Sequence, residues 1–481
     1  PWLILGVQMW EPVFRAAGFP NAIQARRAPT AAEDPEFDVD DARYSAIRWL
    51  PSTIENAYGP ATVDPRSGEI LQSNIGFYHN ITSLLQAWYW TQAGAVDPRA
   101  QRLPFPDSLM GQMVAYVAAH EVGHTLGMPH LMLSSAMYPV DSLRSRSYTC
   151  THGTSYSIMD YARNNYVAQP GDNACLQPTI GTMDHYTINF GYRRVPGAAS
   201  PEAERSFIDS LARLQETHPE WRYGRQGDPT DPRVVTEALG DDPVRASTFG
   251  VANLRRLVPM LIAATTTNRL DDFDLLNDMY GDLIAQWARE MGHVAIVVGG
   301  VYRDDRYAGQ TGYVYTPVPR PRQSAAVQFL LDNVFTTPTW LLDPEVLRRI
   351  EPTGAVNRVR VQQSSTLNTL LQDGRLARLA DASASAADPA STYAIAALLG
   401  DLRRGMFREA AAPRPMVDSY RRTLQQLFVD QLERLVTTPL APTLPPGGLF
   451  PGQAPPLPRP YDARSLARAE LVALDSQLRT A

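Results

Sequence analysis

The sequence predicts an α+β fold in two parts: a first domain over 1–197 that combines strands with a metal-binding helix, and a mainly helical second domain over 198–481. Three observations carry this. The run from His120 to His130 spells H-E-x-x-H-x-x-G-x-x-H on a helical stretch. Segments of strand character, above all Ile70 to Tyr78, precede it. After Pro196 to Pro201 the composition shifts, and apolar residues recur at helical spacing to the end of the chain.

The histidine run organises the first domain. Residues i and i+4 of a helix differ by about 40° around the axis. His120 and His124 therefore point the same way and can grip one ion, while Glu121 stands about 100° round and reaches a water on it. Gly127 suits the left-handed residue that ends a helix, because it lacks a Cβ. Pro129 keeps the helix from resuming, so the chain can bring His130 back as a third ligand. Three neutral imidazoles leave a tetrahedral Zn²⁺ one open position for water, the layout of a catalytic site. The five-residue pattern alone is short; Gly127 and His130 at their offsets make it specific. Asp107 or Ser108 can cap the helix, and Val114, Ala118, Val122 and Leu126 would bury one face of it.

Length and composition narrow the remaining classes. The 481 residues suffice for two or three domains, and 44% apolar content is ordinary for a globular protein. The net charge is −6 and no basic stripe is visible, which argues against nucleic acid as a partner. No apolar run approaches the ~20 residues of a membrane span. There is no lysine; all positive charge is arginine, and with 40 prolines this points to a GC-rich genome. The chain enters a helical pattern directly at Pro1, which reads as a fragment or processed form. The two cysteines, Cys150 and Cys175, both follow the metal helix. A disulfide closing that loop is the preferred reading and would fit an oxidising compartment; two buried thiols are the alternative.

Along the chain, Leu3 to Ala17 predicts a helix kinked at Pro12 and stopped by Gly18. Ala22 to Arg26 and Tyr44 to Leu50 read as strands. The acidic stretch Glu33 to Asp41 lacks a calcium-loop ligand pattern and reads as a solvated loop; a Ca²⁺ site there has no support in the spacing. After the turn Asp64 to Gly68 comes the strand Ile70 to Tyr78, expected to form the edge of the cleft, where an extended peptide could add. Helices are predicted over Ile81–Gln92 and Asp184–Tyr192. In the second domain they are predicted over 251–264, 270–291, 324–335, 356–370, 393–407, 416–436 and 463–478, with a hairpin over 302–317 and a proline-rich linker over 439–460. No catalytic constellation is visible in this half, and His218 and His293 read as isolated.

The eleven-residue motif resembles that of the metzincin metalloproteases. Ser157-Ile158-Met159-Asp160-Tyr161 resembles their methionine turn in its astacin and serralysin version. That resemblance implies Met159 beneath the zinc and Tyr161 as an oxyanion stabiliser. Met137, in Ala136-Met137-Tyr138-Pro139, is the rival for the turn, in the matrixin manner. A wider set of stretches is similar to the large bacterial zinc-dependent metalloproteases of the met-zincin family. These include Trp10-Glu11-Pro12-Val13-Phe14, Asp64 to Ile70, Ser157 to Arg163 with Asn165 to Pro170, Leu239 to Asp242, Gly299 to Tyr302 and Pro338 to Leu341. Ala238 stands where that family pattern has an aspartate. The resemblance implies a secreted, periplasmic or envelope-associated bacterial protein that hydrolyses peptide bonds with one zinc ion, Glu121 acting as general base on a peptide or protein substrate.

Two other readings compete. A thermolysin-type site needs a downstream glutamate ligand, and none lies between Glu121 and Glu202; Asp141 or Asp160 would have to replace it. Alternatively the metal is structural or the site inactive, with the helical half a binding or scaffolding module and His152 as a fourth ligand closing the site.

Overall fold

The computed structural model describes residues 1–224, 228–439 and 459–480, so most of the predicted linker, 440–458, lies outside the described residues. The chain divides into two compact units, Pro1–Gly227 with Arg233–Gln286, and Asp228–Pro232 with Trp287–Ala481. The first unit therefore runs well past the boundary predicted at 197/198. Hydrogen bonds tie its later segment to the earlier one. The Leu239 N–H donates to the Tyr166 hydroxyl (2.9 Å), and the Asn253 amide donates to the carbonyls of Tyr166 (2.9 Å) and Ala168 (2.8 Å). A shift in composition carries no information about such return contacts.

The first unit opens with two short helices, α1 (Trp2–Gln8) and α2 (Glu11–Ala16), rather than one kinked helix. Pro12 sits in the first turn of α2, where its missing N–H is no loss. Trp10, at the break, is fully buried, and its indole donates to the Ala119 carbonyl at 2.9 Å.

No strand forms over Ala22–Arg26. The sheet comprises β1 (Ala46–Leu50), β2 (Ala57–Tyr58), β3 (Ala61–Val63) and β4 (Ile70–Tyr78). β4 pairs in parallel with β1 and antiparallel with both β2 and β3. It is thus the central strand, a correction to the predicted cleft edge. Its neighbours include a strand of two residues, too short to leave a periodic signal.

Helix α3 (Ile81–Ala93) leads through a loop into α4 (Asp107–Thr125), which carries the histidines. Every α4 residue from Met113 to Gly123 is buried, more than the single apolar face predicted, because α1, α3 and the sheet all pack on it. Three further helices follow: α5 (Val140–Leu143), α6 (Arg146–His152) and α7 (Thr182–Tyr192). A disulfide joins Cys150 of α6 to Cys175, 25 residues on. Cross-linking a loop of this length restricts the unfolded chain and contributes about 2–4 kcal/mol. Cys150→Ser is expected to lose that stability in denaturant unfolding; an unchanged midpoint would contradict it.

The second unit is mainly helical, with its principal helices at Arg320–Asn333, Ala355–Leu370, Asp373–Ser385, Ile395–Met406, Ser419–Thr437 and Tyr461–Arg479. The hairpin predicted over 302–317 is a short antiparallel pair, Val301–Arg303 with Tyr315–Pro317. Leu330, Leu367, Leu398, Leu402 and Phe428 are fully buried in this unit. Among the described residues no helix is long and apolar enough to cross a membrane.

Candidate active site

Helix α4 places His120 and His124 one turn apart on one side. The His120 Nδ1 lies 2.7 Å from the Ile158 carbonyl and the His124 Nδ1 2.9 Å from the Met128 carbonyl. A carbonyl only accepts, so each Nδ1 carries the proton and each Nε2 keeps its lone pair. Gly127 takes φ +87° and reverses the chain, with the Met128 N–H donating back to the Gly123 carbonyl at 3.1 Å. His130 returns so that its Nε2 lies 3.1 Å from that of His124. One ligand atom from each of the three histidines falls within 4.8 Å of the others.

These atoms fit a metal ion. His120 Nε2 is buried without a hydrogen-bond partner. A buried acceptor left so costs about 1–3 kcal/mol, a penalty that a cation at the meeting point removes. Burial holds the His120 and His124 imidazoles below their usual pKa, in the neutral form a metal requires.

The floor of the site is the segment 157–161. Met159 is fully buried beneath α4, where its sulfur occupies the space a side chain on residue 123 would need: a Cβ on Gly123 would lie 2.1 Å from Sδ. The Leu131 N–H donates to the Met159 carbonyl at 3.1 Å, and Ile158 holds His120, so this one turn steadies both ends of the histidine set. Asp184, in the first turn of α7, fastens the turn in place. Its carboxyl accepts from the Ser157 hydroxyl (2.5 Å) and from the backbone N–H groups of Ile158 and Gly181 (2.8 Å each). Burial pushes Asp184 up to about 7 while these bonds pull it down. The sequence marks Asp184 only as the start of a helix; nothing local signals its tie to a turn 26 residues away.

The competing residues lie elsewhere. Met137 packs partly buried beside Met132, Leu133 and Val234, with Met159 taking the place against α4. Asp141 is exposed and pairs with Arg245 at 2.7 Å. Asp160 is buried and accepts from the Ser135 N–H at 2.6 Å. His152 lies tilted against Tyr148, with ring centroids 4.8 Å apart. Among the described residues, none of these groups with the three histidines. His218 stacks on Trp221, and His293 is buried in the second unit.

Glu121 and Tyr161 do reach the site. Tyr161 lies with its ring centroid 4.1 Å from that of His130, and burial raises its hydroxyl. Glu121 is buried at 8% exposure and its carboxyl is pushed up to about 7 by burial, with Arg163 drawing it down. The backbone of Gly59, just after β2, lies against it: a Cβ there would meet the Glu121 carbonyl at 2.6 Å. A small cavity of about 60 Å³ opens beside Glu121, bounded by Ala57, Trp88, His120, Tyr161 and Arg163 among others. Arg163 was legible only as part of the resembling stretch, without a role. It adopts φ +53° and faces Glu237, itself at φ +65°.

Paired imidazoles on a buried helix, a third after a glycine turn, an adjoining carboxylate and a methionine beneath are the arrangement of a metalloprotease-type metal site. The chain belongs to the Met-zincin family, whose model matches residues 102–414. Membership supports a metalloprotease and implies zinc, for which His120, His124 and His130 are the ligand set the fold brings together. No curated protein and no solved structure matches the chain.

Proposed function

We propose that the protein is a zinc-dependent endopeptidase whose single ion is held by His120, His124 and His130. The observation that carries this reading is the buried, partnerless Nε2 of His120, aimed with two more imidazoles at one point beside a buried carboxylate. Zinc in such a site supplies a Lewis acid that lowers the pKa of a water towards ~7 and polarises the scissile carbonyl. Glu121 takes the water's proton and returns it to the leaving nitrogen, as general base and then acid. The Tyr161 hydroxyl donates a hydrogen bond to the oxygen that becomes negative. The carbonyls of Ile158 and Met128 keep the imidazoles in the ligating tautomer.

The substrate strand is assigned to the outer side of β2 rather than to β4. Ala57 borders the cavity, and the residue after Tyr58 touches Glu121. Main-chain pairing there would carry a peptide past the carboxylate in extended form. The disulfide supports an extracytoplasmic location.

The test is zinc content by mass spectrometry together with cleavage of an unfolded protein such as casein, with and without a chelator. One zinc per chain and cleavage that stops on chelation and returns with zinc are expected. A protein that takes up no zinc, or cleaves equally after chelation, refutes the proposal.

A further inference from the structure

The cavity beside Glu121 contains a charge that zinc-assisted hydrolysis does not use. Arg163 borders it, only 13% exposed. Its guanidinium carbon lies 3.6 Å from the centroid of the Trp88 ring and 4.3 Å from that of Tyr161. Stacking on ring faces fixes the plane of the guanidinium but engages none of its five N–H donors. Its Nε is ion-paired with Glu237 at 3.5 Å, a separation at which that buried nitrogen makes no hydrogen bond. Burying a polar group without a hydrogen bond is costly, and this one is held there on a left-handed backbone, a strain that non-glycine residues adopt rarely. The other walls are suited to a short aliphatic stem: Ile81, Leu84 and Val117 join Ala57 and Trp88. Among the described residues, Arg163 is the only cation bordering the cavity, and Glu121 its only carboxylate.

We infer that this cavity is a subsite for a carboxylate of the substrate, received by the Arg163 guanidinium next to the scissile bond. The inference rests on the endopeptidase reading, because it places the subsite on the peptide that Glu121 acts upon. A carboxylate supplies two acceptors in the fork geometry that a planar guanidinium matches, and the ring faces hold that fork ready. The carboxylate belongs either to an aspartate or glutamate side chain or to the chain terminus of a short peptide, and the experiment separates the two.

The zinc-loaded Glu121→Gln protein, which leaves peptides intact, is titrated calorimetrically with three alanine-based pentapeptides. One is blocked at both ends with a single central glutamate, one is its glutamine counterpart, and one has glutamine and a free C-terminal carboxylate. A charge-assisted bidentate contact should favour a carboxylate peptide over the blocked glutamine peptide by about tenfold or more. Preference for the glutamate peptide identifies a side-chain subsite; preference for the free acid identifies a terminus subsite. Arg163→Leu should erase the difference, and Arg163→Lys should retain part of it. If either variant fails to fold, the same three-peptide comparison on the zinc-free protein, where no metal can take the carboxylate, decides. Equal binding of all three, or binding of none, overturns the inference. Cleavage of a peptide library by the unmutated protein runs alongside. Carboxylate-selective binding without chelator-sensitive cleavage sinks the endopeptidase reading and keeps the subsite, whereas cleavage without selective binding does the reverse.

Discussion

Glu121→Gln is expected to lower kcat for peptide hydrolysis by about 10²- to 10⁴-fold, the range that positioned proton transfer contributes. Zinc content should stay at the level of the unmutated protein. The two effects separate because Glu121 does not belong to the histidine set: the imidazoles of His120 and His124 are held through Nδ1 by the carbonyls of Ile158 and Met128. Glutamine has almost the shape of glutamate, so packing against the Gly59 backbone is kept, while the group that would take the proton is gone. Stability should be level or slightly raised, since the variant buries a neutral amide where a carboxyl sits at 8% exposure. Parallel measurement of kcat, zinc per chain and the denaturation midpoint checks all three. A variant that turns over as fast as the unmutated protein would remove Glu121 from the chemistry and leave the metal site standing.

The parts of this site that can be read from sequence are those set by local geometry. The separation of His120 and His124 is a property of one helix, and the return of His130 needs only Gly127 and a short turn, so spacing alone brings them within reach of one ion. The placement of Met159 was legible through the residues around it, not through any periodicity. What spacing cannot give is pairing between distant segments. β4 was legible as a strand from Ile70 to Tyr78, but whether it lies at the edge depends on β1, β2 and β3, and β2 is two residues long. The domain boundary failed for the same reason. Residues such as Asn253 return to the first unit by hydrogen bonds to carbonyls more than eighty positions earlier. In the acidic stretch, by contrast, Asp34, Asp38 and Asp41 accept from backbone N–H groups two residues ahead, and Arg43 and Arg48 pair with Asp41 and Asp40, which is how a solvated loop uses its carboxylates. Arg163 and Glu237 show the limit most clearly. Each is an ordinary charged residue in sequence, and their left-handed backbones, 74 positions apart, become notable only when they face one another.

Asp184→Ala should be the most damaging single change away from the metal itself, costing roughly 3–5 kcal/mol of stability and weakening zinc binding by about tenfold or more. The stability loss follows from what is left behind. The Ile158 and Gly181 N–H groups donate to one oxygen of this buried carboxyl and the Ser157 hydroxyl to the other. Truncation leaves two backbone donors buried without acceptors, each costing about 1–3 kcal/mol, while the hydroxyl can rotate towards another partner. The zinc effect follows from the next bond along. Ile158 uses its N–H on Asp184 and its carbonyl on His120, so a turn that loosens at one side releases the imidazole at the other. The same turn accepts from Leu131 through the Met159 carbonyl, next to His130. Asp184→Asn is the informative companion, because it keeps a carbonyl oxygen for the two N–H groups and should recover most of both losses. Denaturant unfolding and zinc competition against a calibrated chelator measure the two effects on the same samples. If Asp184→Ala unfolded within 1 kcal/mol of the unmutated protein and held zinc as tightly, the methionine turn would owe its position to packing of Met159 against Gly123 alone. The two outcomes separate a floor fastened by hydrogen bonds from one wedged by sulfur.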